Sequence, residues 1–375
     1  MDFELEYSLV DDLCKCSNLL SSKEAYLGLI CRAGNLHVFA YDLKSTVEFY
    51  IVIDSSLNFE VGVNLAKFVA VSKRLYVGNV SFTVKSNKLS IRQGNLVAYL
   101  PIMRDVQESS PHQELLPVVE EKVDWLIDSL IACNLSVVYS DKFSGVLIDQ
   151  TSEHFVRVSK LSGVAITIIT SKGTLVASGS KRYVVSSDTV AALQSHRDKI
   201  VQVSLNDNWI YFIFRNGVIL RSVLLHDTFP SNYIESLGLL DVEQIIDRSH
   251  YNRYVFDRDE FYSAIDAVMI VADNKRTTVG IKMLGFEEET GLLAWGAKCR
   301  SSDGSVVEEK FKCSELVEEP KLSKFNVSGL DLANSLRVRG AVISLYNSDE
   351  KPVIVISDLK GEKVTMLIKS ITAGE

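Results

Sequence analysis

The side chains of this chain best placed to do chemistry are cations at helical spacing. Lys67 and Arg74 stand seven apart, with Lys73 beside Arg74, in the stretch NLAKFVAVSKR (64–74). Leu65, Phe68 and Val69 of that stretch fall on the other side of a helix. Lys15, Lys122, Arg197, Arg337 and Arg339 occupy outward faces or ends of other expected helices. Such residues offer non-directional attraction to a polyanion such as a phosphate backbone. Each is equally what a solvated helix face looks like. Asp11, Asp12, Asp124 and Asp128 lie among them and dilute the positive field. The chain carries a net charge of −8 and an isoelectric point near 5.4. Tight nonspecific binding to nucleic acid needs many Lys and Arg contacts, so that balance counts against it. It does not count against enclosing a polyanion without gripping it.

Bond-making chemistry has no foothold of comparable quality. No GxxxxGK[ST] or GxGxxG loop is present to cradle a phosphate, and no GxSxG elbow presents a nucleophile. The six histidines (37, 112, 154, 196, 226 and 250) are dispersed, without HxxxH or HExxH spacing for a metal. Glu287-Glu288-Glu289 reads as a solvated charge run. Neither an enzyme nor a cofactor or metal is expected.

The elements that must carry the cations form a repeat. LYVGNVSFTVKSNKLSIRQGNLVAYLPI (75–102), IVQVSLNDNWIYFIFRNGVILRSVLL (200–225) and AVISLYNSDEKPVIVISDLKGEKVTMLIKSI (341–371) each alternate apolar and polar residues through two turns. That is the pattern of a three-strand meander. Ahead of each lies a short helix beginning with Asn or Ser (64–74, 187–197, 328–337), the expected cap chemistry. Further upstream lies a longer amphipathic helix (8–20, 121–134, 258–271). Asp257 and Glu260 give the last of these an acidic capping box. A module of this size written three times points to a multi-lobed scaffold rather than one catalytic cleft.

The 375 residues are 47% hydrophobic and 23% charged, an ordinary globular composition. The polar stretches 104–117 and 226–253 read as connectors, which places the modules at 1–112, 118–235 and 245–375. Longer loops are expected in the third, around 285–291 and 301–320. Cys14, Cys16, Cys31, Cys133, Cys299 and Cys313 form no CxxC pair and read as buried thiols in a reducing compartment. The N-terminus lacks a basic and apolar leader, and no apolar run is long enough to span a bilayer, so a cytoplasmic location is expected.

At this point the chain resembles the bacterial β-type sliding clamp of DNA replication, including its bacteriophage relatives. The resemblance spans the whole length. It is carried most by FNVSGLDLANSLR (325–337), LLHDTFPSNY (224–233) and VGVNLAKFVAVSKRL (61–75), in that family's order and spacing. It implies an α+β fold of three tandem clamp lobes, each with two helices packed on antiparallel sheets. It implies a head-to-tail homodimer closing a six-lobed ring around duplex DNA, with helices inside. Such a protein tethers the polymerase without chemistry, turning rebinding into an intramolecular event. Its partners are duplex DNA, a polymerase and a clamp loader, the proteins docking through short peptides.

The resemblance also assigns residues. The cations named above would face the pore, joined by Lys23, which matches a basic DNA-contacting position. Phe143, Lys160, Ser162, Ala165, Pro230, Tyr233, Ile234, Met366 and Ile368 would line the partner-peptide pocket. Leu96, Ala98, Leu100 and Ile270 would lie at the subunit contact. The sequence departs from the pattern in two places. Lys160-Leu161-Ser162-Gly163-Val164 replaces the usual polar loop with its acidic-Gly-His-Arg core, and Thr372-Ala373-Gly374-Glu375 extends past the usual end. These departures suggest a diverged, phage-type clamp with its own partner motif. The rival reading, a β-rich viral structural or scaffold protein, gives no reason for two amphipathic helices at equivalent points of each module.

Overall fold

A computed structural model describes residues 1–17, 20, 25–41, 45–53, 56–85, 87–103, 115–136, 145–150, 154–162, 165–176, 181–226, 229, 252–273, 277–315, 324–337, 342–347, 353–357 and 363–369. The repeat is written in the order of the elements. The first copy runs β1 (Asp2–Glu6), α1 (Tyr7–Ser17), β2 (Tyr26–Arg32), β3 (Asn35–Tyr41), β4 (Ser45–Val52), β5 (Phe59–Asn64), α2 (Leu65–Ser72), β6 (Asn79–Lys85), β7 (Lys88–Gln93) and β8 (Leu96–Met103). The second runs β9 (Leu116–Pro117), α3 (Val123–Ser136), β10 (Gly145–Gln150), β11 (Phe155–Leu161), β12 (Ala165–Lys172), β13 (Lys181–Ser186), α4 (Ser187–Leu193), β14 (Ile200–Leu205), β15 (Trp209–Phe214) and β16 (Ile219–Val223). The third runs β17 (Asn252–Phe256), α5 (Arg258–Met269), β18 (Thr278–Phe286), β19 (Leu293–Arg300), β20 (Val306–Lys312), β21 (Lys324–Ser328), α6 (Gly329–Arg337), β22 (Val342–Asn347), β23 (Val353–Ser357) and β24 (Lys363–Lys369). Strand, helix, four strands, helix, three strands: each copy has the same order.

All six expected helices form, within a few residues of their expected ends. Three of the starts are capped by the residues the sequence singles out. Asp257 accepts hydrogen bonds from the backbone of Asp259 and Glu260 at 3.0 and 2.9 Å. Asn64 accepts from Lys67 N at 3.0 Å, and Ser328 from Asp331 N at 3.3 Å. The cap of α4 is Ser186, one residue earlier than expected, accepting from Thr189 N at 3.1 Å. The tail of the expected 187–197 helix tightens into a 3₁₀ turn, Gln194–Lys199.

The chain divides into two compact units, one of residues 1–125 with 191–224 and one of 126–190 with 225–375. The first unit holds a single 12-stranded sheet, in the order β1-β6-β7-β8-β5-β2-β3-β4-β16-β15-β14-β9. The second holds an 8-stranded sheet, β13-β10-β11-β12-β24-β23-β22-β17, and a 4-stranded sheet, β20-β19-β18-β21. Two antiparallel seams account for this division. β4 pairs with β16, Ser45 opposite Ser222 through Glu48 opposite Ile219. β12 pairs with β24, Ala165 opposite Ile368 through Thr170 opposite Lys363. The middle copy therefore contributes three strands of its meander and β9 to one sheet and four strands to another.

Each unit buries its own core. In the first, Phe3 stacks on Phe59 and Phe82 with centroids 5.4 and 5.2 Å apart, and Phe68 of α2 reaches Phe82 at 6.4 Å. In the second, Trp295 is fully buried and meets Tyr254 and Phe256 edge-on, while Phe261 of α5 meets Phe311 at 4.8 Å. Cys14, Cys31, Cys133, Cys299 and Cys313 are buried free thiols; the side chain of Cys16 lies outside the described residues. Among the described residues no helix is long and apolar enough to cross a membrane.

Candidate nucleic-acid and partner interfaces

Helix α2 delivers the cleanest group of cations. Leu65 and Phe68 are buried, while Lys67, Lys73 at the C-cap and the following Arg74 are exposed. Helix α1 packs beside α2 and adds Lys15, whose Nζ lies 2.5 Å from Asp11 one turn earlier. That hydrogen bond holds the Lys15 ammonium above its usual range. It also offsets much of the charge Lys15 could present. Lys122 is half-buried, its ammonium 5.7 Å from the Trp125 ring centroid. Arg197 is exposed in the 3₁₀ turn. Arg337 ends α6, but its side chain, like Lys23 and Arg339, lies outside the described residues. Of the acids expected to dilute this field, Asp124 is exposed and Asp128 half-buried. Asp12 is 2% exposed and held by Lys199, so it is no longer a free negative charge. Lys199 escapes a local reading because its partner is 187 residues away.

The pocket residues divide by where they lie. Phe143, Pro230, Tyr233 and Ile234 are outside the described residues. The others gather at the second seam. Ala165 stands opposite Ile368, and Met366 stands opposite Thr167, which in turn stands opposite Lys160 on β11. Ser162 is buried just past the end of β11. Thr167 is fully buried, with its hydroxyl 2.6 Å from that of Ser136 at the end of α3. Nothing in its local sequence singles it out.

Lys160 is 2% exposed. Its Nζ donates to Asn134 Oδ1 at 2.6 Å and lies 3.4 Å from the Asn134 carbonyl, near the C-terminus of α3 where a cation complements the helix dipole. Burial pushes its ammonium down to about 8, against the opposing pull of Cys133, Asp188 and Asp331. Below pH 8 folded and unfolded chains both hold this proton and the burial cost is constant. Between about pH 8 and the unfolded value of 10.5 only the unfolded chain holds it, so the cost fades as pH rises. Lys160→Met is expected to gain stability over the parent by more at pH 7 than at pH 10. The difference approaches about 3 kcal/mol. Urea unfolding at both pH values checks this, and an equal gain at both would show that the lysine titrates normally in the folded chain.

Two open strand edges complete the surface. On one side β8 pairs with β7 along Leu96–Pro101. On the other it meets β5 only at Ile102 and Met103. Leu96 and Ala98 are half-buried and Leu100 is buried. The outward positions are Val97, Tyr99 and Met103, at 45%, 59% and 42% exposure. The second edge is β20, the outer strand of the 4-stranded sheet. Near the same part of the chain Ile270, the C-cap of α5, is 81% exposed, and Leu284, Phe286 and Val306 are exposed too. Large exposed apolar residues thus lie on β8 and, in the third copy, on Ile270, β18 and the start of β20.

No family model matches this chain, and no curated protein resembles it in sequence. Solved structures do. The DNA polymerase III β subunit of Thermotoga maritima superposes with a TM-score of 0.78 at 14% identity, covering 100% of both chains. That of Pseudomonas aeruginosa gives 0.77 at 15% identity, again over 100% of both. The Helicobacter pylori β clamp bound to a DNA ligase peptide gives 0.74 at 13% identity, covering 99% of this chain and 100% of its own. From its first strand to its last, this chain has the fold of the bacterial β sliding clamp.

Proposed function

We propose that the chain is a non-enzymatic sliding clamp of DNA replication, which encircles duplex DNA and tethers a polymerase for processive synthesis. The observation that carries this reading is the threefold strand–helix order over the full length, shared end to end with the β clamps. Exposed Lys67, Lys73 and Arg74 on α2 supply the weak, sequence-independent attraction that sliding requires. The modules 1–112, 118–235 and 245–375 are its three lobes. Two copies pair head to tail, the open edge of β8 in one against β20 in the other, with Tyr99 and Ile270 near the contact. This arrangement leaves no free sheet edge at the subunit contact. The polymerase and the loader engage through short peptides at the seam of β12 and β24, near Ala165, Met366 and Ile368.

A topological experiment tests the function. After loading onto nicked circular plasmid, the protein is expected to co-elute with the DNA in gel filtration. A single restriction cut is expected to release it. Retention on the linear product would mean gripping rather than encirclement and would overturn the proposal.

A further inference from the structure

Asp12 of α1 is a buried carboxylate whose two oxygens are both engaged by the distant segment that ends the middle copy. Lys199 Nζ donates to Oδ1 at 2.6 Å, and Asn216 Nδ2 donates to Oδ2 at 2.7 Å. His196 Nε2 lies 4.0 Å from Oδ1 and is itself 2% exposed. A paired buried carboxylate with every oxygen satisfied is retained at a desolvation cost, and removing one partner leaves an uncompensated charge. The donors are set by local geometry. Asn216 sits in the turn between β15 and β16, where Gly217 adopts φ +84° and donates its N–H to the Phe214 carbonyl at 2.9 Å. Lys199 closes the 3₁₀ turn, with its carbonyl accepting from Arg215 N at 2.8 Å. A second polar cluster ties the same joint at the strand seam. There Arg221 donates to Thr46 Oγ1 at 3.0 Å and stacks 4.4 Å from the Trp209 ring centroid.

We propose that Asp12 is a latch. It fixes the first helix against residues 196–216 and so makes the joint between the first and middle modules a rigid one. Its meaning for how a ring opens rests on the clamp reading: bending is excluded at this joint and left to others. The latch itself does not depend on DNA.

Hydrogen–deuterium exchange on the full-length protein tests it without DNA. Asp12→Asn and, separately, Lys199→Met are expected to speed exchange in residues 7–17 and 214–218 by roughly tenfold or more. Strands β18 to β20, in the other unit, are expected to keep the parent rates. The Lys199 side chain is 46% exposed, so its loss is compatible with folding if Asp12→Asn proves too severe. Lys199→Arg is expected to restore the parent rates, and the double variant to be no faster than the worse single one. Unchanged exchange in both segments, or an even rise along the whole chain, would overturn the latch. Failure of the plasmid release experiment would not touch it, because the two readouts share no step.

Discussion

Replacing Lys67, Lys73 and Arg74 together with glutamate is expected to impair loading onto circular DNA and processive synthesis strongly while leaving the fold intact. All three side chains are exposed. The change turns three attractive charges into three repulsive ones along one helix and its C-cap. If each neutralises a phosphate, the slope of log retention against log salt falls by about 3. The structural cost is small and has a sign at each position. Lys67 is the third helical residue after the Asn64 cap, where a glutamate suits the N-terminal turn. At Lys73 and Arg74 a carboxylate opposes the C-terminal end of the dipole, by about 0.3–1 kcal/mol each. Retention and salt dependence measured on the triple variant check the pore assignment. Parent-like values in a variant that melts like the parent would remove it.

An equally large effect is expected at the subunit contact. The parent should sediment at twice 41.8 kDa and dissociate on dilution. Tyr99→Asp or Ile270→Asp places a charge where the monomer exposes 59% or 81% of the side chain, so neither should unfold the chain. In an interface the same charge is desolvated, and the dissociation constant is expected to rise by roughly 100-fold or more. Head-to-tail pairing makes a sharper statement. Mixing the two variants puts both substitutions into one contact and leaves the other contact wholly parental. A mixture that dimerises better than either variant alone would fit only that geometry. Dimers that ignore both substitutions would move the interface elsewhere.

The helices were legible because their positions are written locally. Period and cap agree at Asn64, Asp257 and Ser328, and the structure uses those side chains as caps. The seams were not legible. Alternation says that Thr46 and Glu48 share a face, but not that their neighbour is Arg221 or Ile219, 170 positions and more downstream. In β8 both alternating sets are apolar, so the sequence marks Leu96, Ala98 and Leu100 as one face without saying that Val97, Tyr99 and Met103 are the outward one. The burial of Lys160 and of Asp12 is hidden from the sequence for one shared reason. A charged residue reads as solvated unless its partner is nearby in sequence, and Asn134 and Lys199 are not. The residues expected at a peptide pocket are the hardest to place from sequence, because Pro230, Tyr233 and Ile234 fall in a connector, where neither period nor cap constrains position.

The two seams also govern how the chain can be made. Residue 45 emerges from the ribosome long before residue 219, and β12 must wait for β24, the last strand of all. During synthesis the inner edges of both sheets stand unsatisfied, beside the apolar faces they will later extend. Contacts this remote in sequence slow folding, and unpaired edges invite association between nascent chains. Only the 4-stranded sheet is encoded within one copy; the other two are each completed by strands of a second copy, so excising the middle third would yield a fragment with two raw edges. The architecture delays sealing of the first unit until β16 is made, and of the second until β24 is.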